Sequence, residues 1–563
     1  MDIRTTGGPA TDEEMAAVDG LLGPAESLWE GGVRRPADDH VAYGGRAARS
    51  RRHLLLPVLH AIQDRTGWVS RGALEYACRR LSIPPAEAYG VVSFYARFAP
   101  EPRGEVTVHA CDDIVCQLAG AKTPDGARPA PCLGLCDRAP ATLTERFGMS
   151  YDAVQSPHAA PRHVGSKLLR RVGLLNPESI AGYREHGGFV ALRRAHEIGP
   201  EAVIHALTEA RLLGRGGAAF PTGRKWESVA KAPARPHYLV CNADESEPGT
   251  FKDRVLMESD PFAVVEAMAI AAFATGCEKG FMYVRAEYPL ARRRIEHAIA
   301  QVHAAGLLRF EIEVRRGAGA YICGEETALF NSIEGQRGEP RNKPPFPVEV
   351  GLFGKPTLVN NVETLVNVLD IVLEGGAAFA ATGTRDSTGT RLFCVSGQVL
   401  HPGLYEVPMG TPLRELIDQA GGLRPGRTLQ AVLLGGAAGS FIIPAQVDVP
   451  LSFEGTRAIG ATLGSGAVIV FDDTADMKQV LLRIARFFRD ESCGQCVPCR
   501  VGTKRQEEIL ERMLQGRDGD RHADVMLLSD IARAMRDASI CGLGQTAANA
   551  IASGLTQLRV LNG

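Results

Sequence analysis

Four cysteines near the end of the chain have the spacing needed to hold an inorganic cluster. Cys493, Cys496 and Cys499 fall within seven residues, and Cys541 follows forty-two residues after the third of them. Thiolates at positions i, i+3 and i+6 on a loop that enters a helix can hold three corners of an iron–sulfur cube, and a distant cysteine can hold the fourth. Structural zinc sites usually take their ligands as two separated pairs. The spacing therefore predicts a [4Fe–4S] cluster in preference to zinc.

A second group of four cysteines lies in the N-terminal third of the chain as two pairs. Cys111 and Cys116 follow a segment of alternating hydrophobicity, and Cys132 and Cys136 lie in a glycine-containing loop. This arrangement allows both pairs to reach one edge of a small sheet. Two pairs suit either a [2Fe–2S] cluster or a zinc ion, and spacing alone leaves both alternatives open.

A glycine-rich loop with positive charge occupies 214–226. Its few Cβ atoms allow backbone N–H groups to approach phosphate oxygens, and Arg215, Arg224 and Lys225 add positive charge. The loop matches neither the P-loop pattern nor the dinucleotide-binding fingerprint. By itself it indicates either a phosphate site or a tight turn.

Polar side chains follow a predicted strand that ends at Cys241. Asn242, Asp244, Glu245 and Glu247 come next, and ligand-binding groups gather at such strand ends in open α/β sheets. A solvated loop is the alternative. A second glycine-rich turn at 317–319 suggests two nucleotides side by side. Amides, hydroxyls and carboxylates suit a ribityl chain and a ribose, and aromatic side chains suit a stacked ring. Side chains of these kinds in the following segments are Tyr321, Glu325, Glu326, Phe346, Asn360, Asn361 and Thr364.

Composition limits the classes of protein to consider. The chain has 563 residues, of which 45% are apolar and 23% charged, as expected for three or four globular domains. A formal net charge of −2 provides no basic field for nucleic acid. The best candidate for a membrane span, 261–277, is too short and contains Glu266. We therefore expect a cytoplasmic protein that binds no nucleic acid and does not insert into a membrane.

The thirteen cysteines are expected to be reduced in that compartment, which favours metal ligands over disulfides. Five of them lie singly in apolar surroundings and are predicted to be buried core thiols. These are Cys78, Cys241, Cys277, Cys323 and Cys394.

Hydrophobic periodicity predicts the elements that position these groups. The central part, about 180–385, alternates strands with helices, which predicts an α/β sheet covered by helices. Its predicted strands lie at 238–241, 280–284 and 310–314, and its predicted helices at 254–275 and 288–306.

The flanking parts have different patterns. Residues 1–48 lack sustained periodicity and are predicted to form a mobile arm. Helical spacing then begins at Leu54 and leads to a strand at 105–110. A small α+β module is predicted at 390–470, with strands at 392–396, 403–407 and 431–434 around a helix at 412–420, and the pattern from 477 onward is helical.

Together these motifs resemble the NADH-binding flavoprotein subunit of respiratory complex I and its relatives, the diaphorase subunits of NAD-reducing hydrogenases and the beta subunits of NAD-dependent formate dehydrogenases. The resemblance covers about 180–560, and 50–165 is similar to the thioredoxin-like [2Fe–2S] subunit of the same complexes. It implies an α/β multidomain fold. The implied parts are a helical and thioredoxin-like [2Fe–2S] domain at 49–165, a Rossmann-like α/β domain for FMN and NAD at 166–385, a β-grasp-like α+β domain at 386–470 and a helical [4Fe–4S] domain at 471–563.

The resemblance also implies roles for individual residues. Phe220, Glu247, Glu326 and Phe346 are expected to contact NAD(H), and the two carboxylates are the candidates for catalysis. The α+β module is expected to hold no cofactor. The residues expected to bind or lie near FMN are Gly214, Arg215, Gly216, Gly217, Lys225, Asn242, Asp244, Glu245, Tyr321, Glu325, Asn360, Asn361 and Thr364.

The chain departs from the family pattern at two places. Ala219 stands where the family usually has a third glycine, which is tolerated if its φ is negative. Only fifteen residues separate Cys116 from Cys132, where the family has a longer insert. The ligands are kept but the scaffold is trimmed, so we expect a [2Fe–2S] cluster that is more exposed and more labile than in the family.

The hypothesis is a diaphorase that exchanges a hydride between NAD(H) and FMN and single electrons with iron–sulfur clusters. Since the chain shows no molybdopterin or nickel motif, a partner subunit with molybdenum or tungsten, or with nickel and iron, is expected. The segment 535–545 looks most like the formate dehydrogenase branch. The alternatives are the diaphorase of an NAD-reducing hydrogenase, a complex I-type NADH dehydrogenase, and a non-catalytic scaffold that binds zinc.

Overall fold

The computed structural model describes residues 8–25, 28–30, 32, 33, 36, 50–155, 162–515 and 521–558. Within these ranges the chain forms an α/β multidomain structure with three separate sheets and a helical C-terminal part, as predicted. Each sheet carries its own set of helices, because each sheet has an apolar face that must be covered.

Helices precede the first sheet. They span Asp12–Leu22, Leu55–Thr66, Arg71–Leu81 and Pro85–Phe94, with short 3₁₀ turns at Leu28–Glu30 and Arg51–Leu54. The helix 12–22 corrects the prediction of an arm for that segment: Thr11 and Glu14 form a capping box, and Val18 is fully buried. Residues 1–7, 26, 27, 31, 34, 35 and 37–48 of the predicted arm lie outside the described residues.

The first sheet has four strands in the order β2-β1-β3-β4. They are β1 (Val106–Cys111), β2 (Arg128–Ala130), β3 (Thr142–Arg146) and β4 (Asp152–Gln155). β1 pairs in parallel with β2 and antiparallel with β3, so β1 is central. A single short helix, Ile114–Leu118, joins β1 to β2. After β4 the chain continues to β5 (Arg162–Val164), which joins a different sheet.

The second sheet is parallel and has the order β8-β7-β6-β9. Its strands are β6 (His237–Ala243), β7 (Cys277–Val284), β8 (Glu311–Arg316) and β9 (Thr357–Asn361); the last was not predicted. The α-helices of this domain are Ile180–Glu185, Val190–Ile198, Pro200–Glu209, Thr222–Ala230, Lys252–Ser259, Pro261–Thr275, Pro289–Ala304, Glu326–Ile333, Val362–Glu374 and Gly376–Ala380, with 3₁₀ turns at Tyr321–Gly324 and Leu352–Gly354.

One predicted helix in this domain is wrong. The segment 254–275 forms two helices that meet at Asp260, whose φ and ψ of −141° and 54° are not helical. Pro261 disfavours helical geometry at the residue before it and is well suited to the first position of a new helix.

Glu266 lies buried in the second helix, where its carboxylate accepts hydrogen bonds from the Tyr183 hydroxyl and from the N–H groups of Phe189 and Leu192.

The third sheet has six strands in the order β13-β12-β14-β10-β11-β5. The predicted strands are present as β10 (Thr390–Gly397), β11 (Gly403–Pro408) and β12 (Leu429–Leu434), and the predicted helix as Leu413–Gln419. β13 (Ser440–Ile442), β14 (Ala467–Asp472), the helix Phe453–Ala458 and a 3₁₀ turn at Pro444–Gln446 were not predicted. β5 pairs in parallel with β11, so the segment leading from the first domain completes this sheet.

The C-terminal part is helical, as predicted, and packs on the other domains through amphipathic faces. Val480, Leu481, Ile484 and Phe487 are buried on one face of its first helix. Among the residues that the structure describes, no helix combines the length and apolar character needed to cross a membrane. The helices are Met477–Glu491, Val497–Leu514, Arg521–Ala538, Gly542–Thr546 and Asn549–Gln557.

Candidate functional site

A cavity of about 390 Å³ lies at the carboxyl ends of β6 and β9. Parallel strands bring their carboxyl ends to one edge of the sheet, which is where ligands bind in open α/β folds. Many of the predicted site residues meet there. Those that line the cavity are Gly216, Gly217, Asn242, Asp244, Glu245, Glu247, Tyr321, Glu325 and Asn361.

Other predicted residues lie behind the cavity wall and hold the glycine-rich loop in place. The Arg215 N–H donates to the Thr364 hydroxyl at 2.8 Å, and Trp226 Nε1 donates to Asn360 Oδ1 at 2.9 Å. The guanidinium of Arg215 is buried and donates to the carbonyl of Thr388 at 2.7 Å, away from the cavity. Gly214 pairs by its N–H with the carbonyl of Phe220, which closes the loop. These residues support the site without lining it.

Ala219 in this loop has a φ of +53°, not the negative value that the sequence analysis required. A residue with a Cβ atom pays about 1–2 kcal/mol to adopt a left-handed backbone conformation, and glycine avoids this cost. Part of the benefit is lost because glycine also makes the unfolded chain more flexible. Ala219→Gly is therefore expected to stabilise the protein by roughly 0.5–1 kcal/mol, measured by thermal denaturation. Ala218→Gly is the matched control and is expected to destabilise. A melting temperature of Ala219→Gly at or below the wild-type value would contradict this account.

The predicted site residues that do not line the cavity include charged side chains and exposed rings. Phe220 and Phe346 are 45% and 53% exposed, and so present aromatic faces to solvent. Lys343 Nζ donates to Glu326 at 2.7 Å and to Glu325 at 2.8 Å, and Lys225 Nζ lies 3.7 Å from Glu326. Burial acts to raise the pKa of Glu326, but Lys225 and Lys343 outweigh it and hold the pKa below its usual range.

The cavity has unmet hydrogen-bonding capacity that fits a bound flavin. Asp244 Oδ2 is buried and finds no hydrogen-bond partner among the described residues, and burial raises the pKa of this carboxyl well above its usual value. An unpaired buried oxygen costs about 1–3 kcal/mol, so a donor on a bound molecule is expected to meet it. Gly216 and Gly217 also line the cavity, and without Cβ atoms their backbone N–H groups can approach a ring or a phosphate.

Lys252 is a cavity residue that the sequence analysis did not select. Its side chain is 1% exposed, and Nζ lies 2.9 Å from Asp253, 3.1 Å from Glu363 and 3.2 Å from Asn361. These carboxylates keep the pKa of Lys252 above its usual value although burial opposes them. The sequence signal that could have identified Lys252 is its position in the run of polar residues that follows the end of β6.

Glu247 is held from two sides of the cavity. Its Oε2 accepts a hydrogen bond from the Tyr321 hydroxyl at 2.5 Å, and its Oε1 accepts one from the Ala438 N–H at 2.9 Å. Shielding from water raises the pKa of Glu247 to about 7, although both hydrogen bonds favour the ionised form. The carboxyl group therefore changes its protonation state near neutral pH.

We expect Glu247→Gln to raise the KM for NADH on the order of tenfold to a hundredfold, because a hydrogen bond to a charged acceptor contributes about 1.5–3 kcal/mol. With a pKa near 7, the ionised acceptor is lost as the pH falls. The wild-type KM should therefore rise from about pH 8 to about pH 6, and the variant should lose this dependence. FMN content should be unchanged, and Glu296→Gln on the surface should behave like wild type. Loss of FMN with unchanged coenzyme affinity would contradict the assignment.

The C-terminal cysteines lie at the ends of helices beside this cavity. Cys496 and Cys541 are the residues immediately before the helices Val497–Leu514 and Gly542–Thr546. Cys499 is buried and the other three are partly exposed. Burial raises the pKa of the Cys499 thiol to about 12, and the other three cysteines add to this effect. Because the other three cysteines act electrostatically on Cys499, ionising all four requires positive charge among them, which iron would supply.

The N-terminal cysteines lie beyond the carboxyl end of β1 in the first sheet, where the prediction placed both pairs. Cys111 ends β1, Cys116 is in the helix that follows, and Cys132 Sγ lies 3.4 Å from Cys136 Sγ in the loop before β3. The expected exposure is wrong for the thiols, which are between 2% and 5% exposed. The flavin domain covers them: Arg285 donates to the Cys132 carbonyl at 2.7 Å. The five single cysteines are all buried, as predicted.

Four segments match known protein families. Residues 207–370 match the Nuo51 FMN-binding domain, and 479–560 match the NADH-ubiquinone oxidoreductase-F iron-sulfur binding region. Residues 44–124 match the thioredoxin-like [2Fe-2S] ferredoxin, and 392–437 match the SLBB domain. The order of these matches along the chain is the order that the resemblance implied.

An NADH-quinone oxidoreductase subunit of Rhizobium meliloti (strain 1021) is 45% identical over 403 residues, which are 70% of this chain and 95% of that protein. The chain belongs to this family of NADH-binding flavoprotein subunits. The NADP-reducing hydrogenase subunit HndC of Solidesulfovibrio fructosivorans is 44% identical over 68% of this chain and 80% of its own length. A crystal structure of an NAD+-reducing [NiFe]-hydrogenase in the H2-reduced state superimposes with a TM-score of 0.79 at 36% identity, over 91% of this chain and 93% of that one.

Membership of the flavoprotein family confirms the cofactors. The chain has an FMN-binding domain, a [4Fe–4S] region and a thioredoxin-like [2Fe–2S] domain, and the family binds NADH. It is an NADH dehydrogenase of the diaphorase type. The two alternatives left open by cysteine spacing are thereby resolved in favour of iron–sulfur clusters, and a zinc-binding scaffold is not supported.

Proposed function

We propose that the cavity takes up NAD(H) against bound FMN and that electrons leave it through the cluster held by Cys541 and its three companions. The composition of the cavity wall supports this most strongly. Gly542, Leu543 and Thr546, which follow Cys541 closely, line the same cavity as Asp244 and Glu247. Bound FMN supplies the conversion between a two-electron hydride donor and one-electron clusters.

The protein contributes geometry and electrostatics rather than an acid or a base. Glu247 and Glu326 are proposed to orient the nicotinamide amide and ribose as hydrogen-bond acceptors. Both are held in place, Glu247 by Tyr321 and Ala438 and Glu326 by Lys343. Phe220 and Phe346 are proposed to stack on the adenine or nicotinamide rings, since both rings are exposed and free to meet a bound molecule.

The residues proposed to bind FMN divide into those that touch it and those that support its loop. The cavity-lining residues at 216, 217, 242, 244, 245, 321, 325 and 361 form the first set. Arg215, Lys225, Asn360 and Thr364, with Gly214, form the second, because their hydrogen bonds fix the loop and the strand ends.

We propose that the partner is the molybdenum- or tungsten-containing subunit of an NAD-dependent formate dehydrogenase. The segment 535–545, which contains Cys541, supports this choice; the fused N-terminal domain is compatible with it but is shared with hydrogenase diaphorases. A hydrogenase with nickel and iron is the second candidate. It is favoured by the structural likeness to the NAD+-reducing hydrogenase, which extends over most of the chain including its N-terminal domains.

Purifying the native complex by a tag on this chain and assaying it with each electron donor tests the proposal. NAD+ reduction by formate, with molybdenum or tungsten in the complex, is the expected result. NAD+ reduction by hydrogen, with nickel present, would overturn the formate assignment and support the second candidate. NADH oxidation by a quinone, with neither donor active, would place the chain in a complex I-type enzyme. An inability of the flavin-loaded chain to oxidise NADH with ferricyanide would overturn the proposed function itself.

A further inference from the structure

The β-grasp-like domain, to which the sequence analysis gave no cofactor, forms one wall of the cavity. Two of its turns reach the site. The turn 435–438 joins β12 to β13, and the turn 462–465 precedes β14. Gly435, Ala438, Thr462, Gly464 and Ser465 line the cavity from this side.

The turn 435–438 touches the carboxylate that we propose orients the coenzyme. The Ala438 N–H donates to Glu247 Oε1 at 2.9 Å, while Tyr321 of the flavin domain holds the other oxygen. The glycine at 436 makes this contact possible. A Cβ atom built at Gly436 would lie 2.7 Å from Glu247 Oε1 and closer still to its Cγ, at 2.4 Å. No side chain can stand at 436 while Glu247 keeps this position.

The same turn is held rigidly from behind. The Gly435 N–H donates to the carbonyl of Ala467 at 2.9 Å, and the Gly439 N–H donates to the carbonyl of Gly436 at 2.9 Å. Asn549 Nδ2, at the start of the C-terminal helix Asn549–Gln557, donates to the Ala438 carbonyl at 3.2 Å. The peptide groups at Ala438 therefore link the coenzyme carboxylate to the cluster domain, and both ends of this link are fixed by packed elements.

We propose that Gly436 is a positioning residue for NAD(H): the β-grasp-like turn sets the orientation of the Glu247 carboxylate and, through it, the affinity for the coenzyme. This inference rests on the proposed function, because it assumes that Glu247 meets the coenzyme. It extends the coenzyme site to a third domain of the chain. The contact is steric and directional, so its loss should change coenzyme binding rather than FMN content.

The test compares Gly436→Ala with Gly426→Ala. Both glycines lie in the same domain with a positive φ, +79° and +80°, so alanine costs the same backbone strain at each. A Cβ at Gly426 has no described heavy atom within 4 Å. Displacing Glu247 should raise the KM for NADH and the Kd for NAD+, read from its perturbation of the flavin absorption band, on the order of tenfold to a hundredfold. The kcat of Gly436→Ala should stay within about twofold, and Gly426→Ala should match wild type in KM, Kd and FMN content.

A double variant keeps the proposal falsifiable if Gly436→Ala holds FMN poorly. In a Glu247→Ala background the side chain that the new methyl group would strike is absent, so Gly436→Ala should add no further loss of coenzyme affinity or FMN. Additive effects in the double variant would overturn the inference, as would equal behaviour of Gly436→Ala and Gly426→Ala. Failure of the wild-type chain to oxidise NADH would instead count against the proposed function.

Discussion

Replacing Cys496 by serine is expected to abolish electron transfer to every acceptor beyond the [4Fe–4S] cluster while NADH still reduces the bound FMN. Cys496 is the residue immediately before the helix Val497–Leu514, between Cys493 and Cys499, and is one of the three proposed cluster ligands that fall within seven residues. Loss of one thiolate leaves an iron without its ligand, and the cluster is expected to be lost. The cavity keeps all of its side chains, because Cys496 does not line it.

Stopped-flow mixing with NADH checks the first half of this result by bleaching of the flavin band. Turnover with the physiological partner subunit checks the second half and should fall at least about a hundredfold, with loss of the corresponding paramagnetic signal. Cys277→Ser is the matched control, since Cys277 is buried at the start of β7, far along the chain from the cluster ligands. A folded, FMN-loaded Cys496→Ser variant that no longer bleached with NADH would show that the proposed order of carriers is wrong.

The cysteine spacing and the residues after strand ends could be read from the sequence because their chemistry is local. Three thiols within seven residues can have few roles. Asn242 and Asp244 lie on either side of the last residue of β6, which places polar groups at the carboxyl end of the sheet. The capping box at Thr11 and Glu14 is equally visible in the sequence, and it marks the start of the helix Asp12–Leu22 that was not predicted. Pro261 was also visible and marked the break between two helices.

The contacts between domains could not be read in this way. Ala438 reaches Glu247 through a backbone N–H, a group that every residue except proline carries, so no side chain signals the contact. Arg215 stands in a loop rich in glycine, where a cation suggests phosphate, but its guanidinium is used to join the loop to the third sheet. Contacts between segments far apart in the sequence determine the roles of these groups, and a single sequence does not show which segments come together.

The burial of the N-terminal cysteines has the same origin. The trimmed connection between Cys116 and Cys132 removes scaffold, as the sequence indicated, but the flavin domain occupies the space. The loop 132–136 fits closely there. A Cβ atom at Gly134 would meet the Tyr288 hydroxyl at 2.1 Å, and Gly134 has a φ of +67°. The [2Fe–2S] site therefore depends on a second domain for its cover.

That dependence predicts a large effect from Arg254, which anchors the loop. Its guanidinium donates to both oxygens of Asp137 at 2.8 Å and to the Gly134 carbonyl at 3.0 Å, and neither side chain of the ion pair has any exposed surface. Arg254 also pairs with Glu258 at 3.0 Å, and Asp137 has a second, more distant partner in Arg138 at 3.5 Å. Removing Arg254 leaves these two buried carboxylates without their main partner, which costs about 3–5 kcal/mol. Arg254→Met should lower the free energy of unfolding by about this amount.

The same variant should release the cluster that the loop holds. Urea denaturation measures the loss of stability, and analysis of iron per flavin should show a fall from about six to about four as the [2Fe–2S] cluster is lost while the [4Fe–4S] cluster stays. Arg292→Met is the control, since Arg292 pairs with Glu296 at 2.9 Å on the protein surface and should contribute less than about 0.5 kcal/mol. If Arg254→Met kept both the stability of the wild type and six iron atoms per flavin, the proposed anchor would be wrong. The flavin domain would then cover the [2Fe–2S] loop without fixing the position of its cysteines.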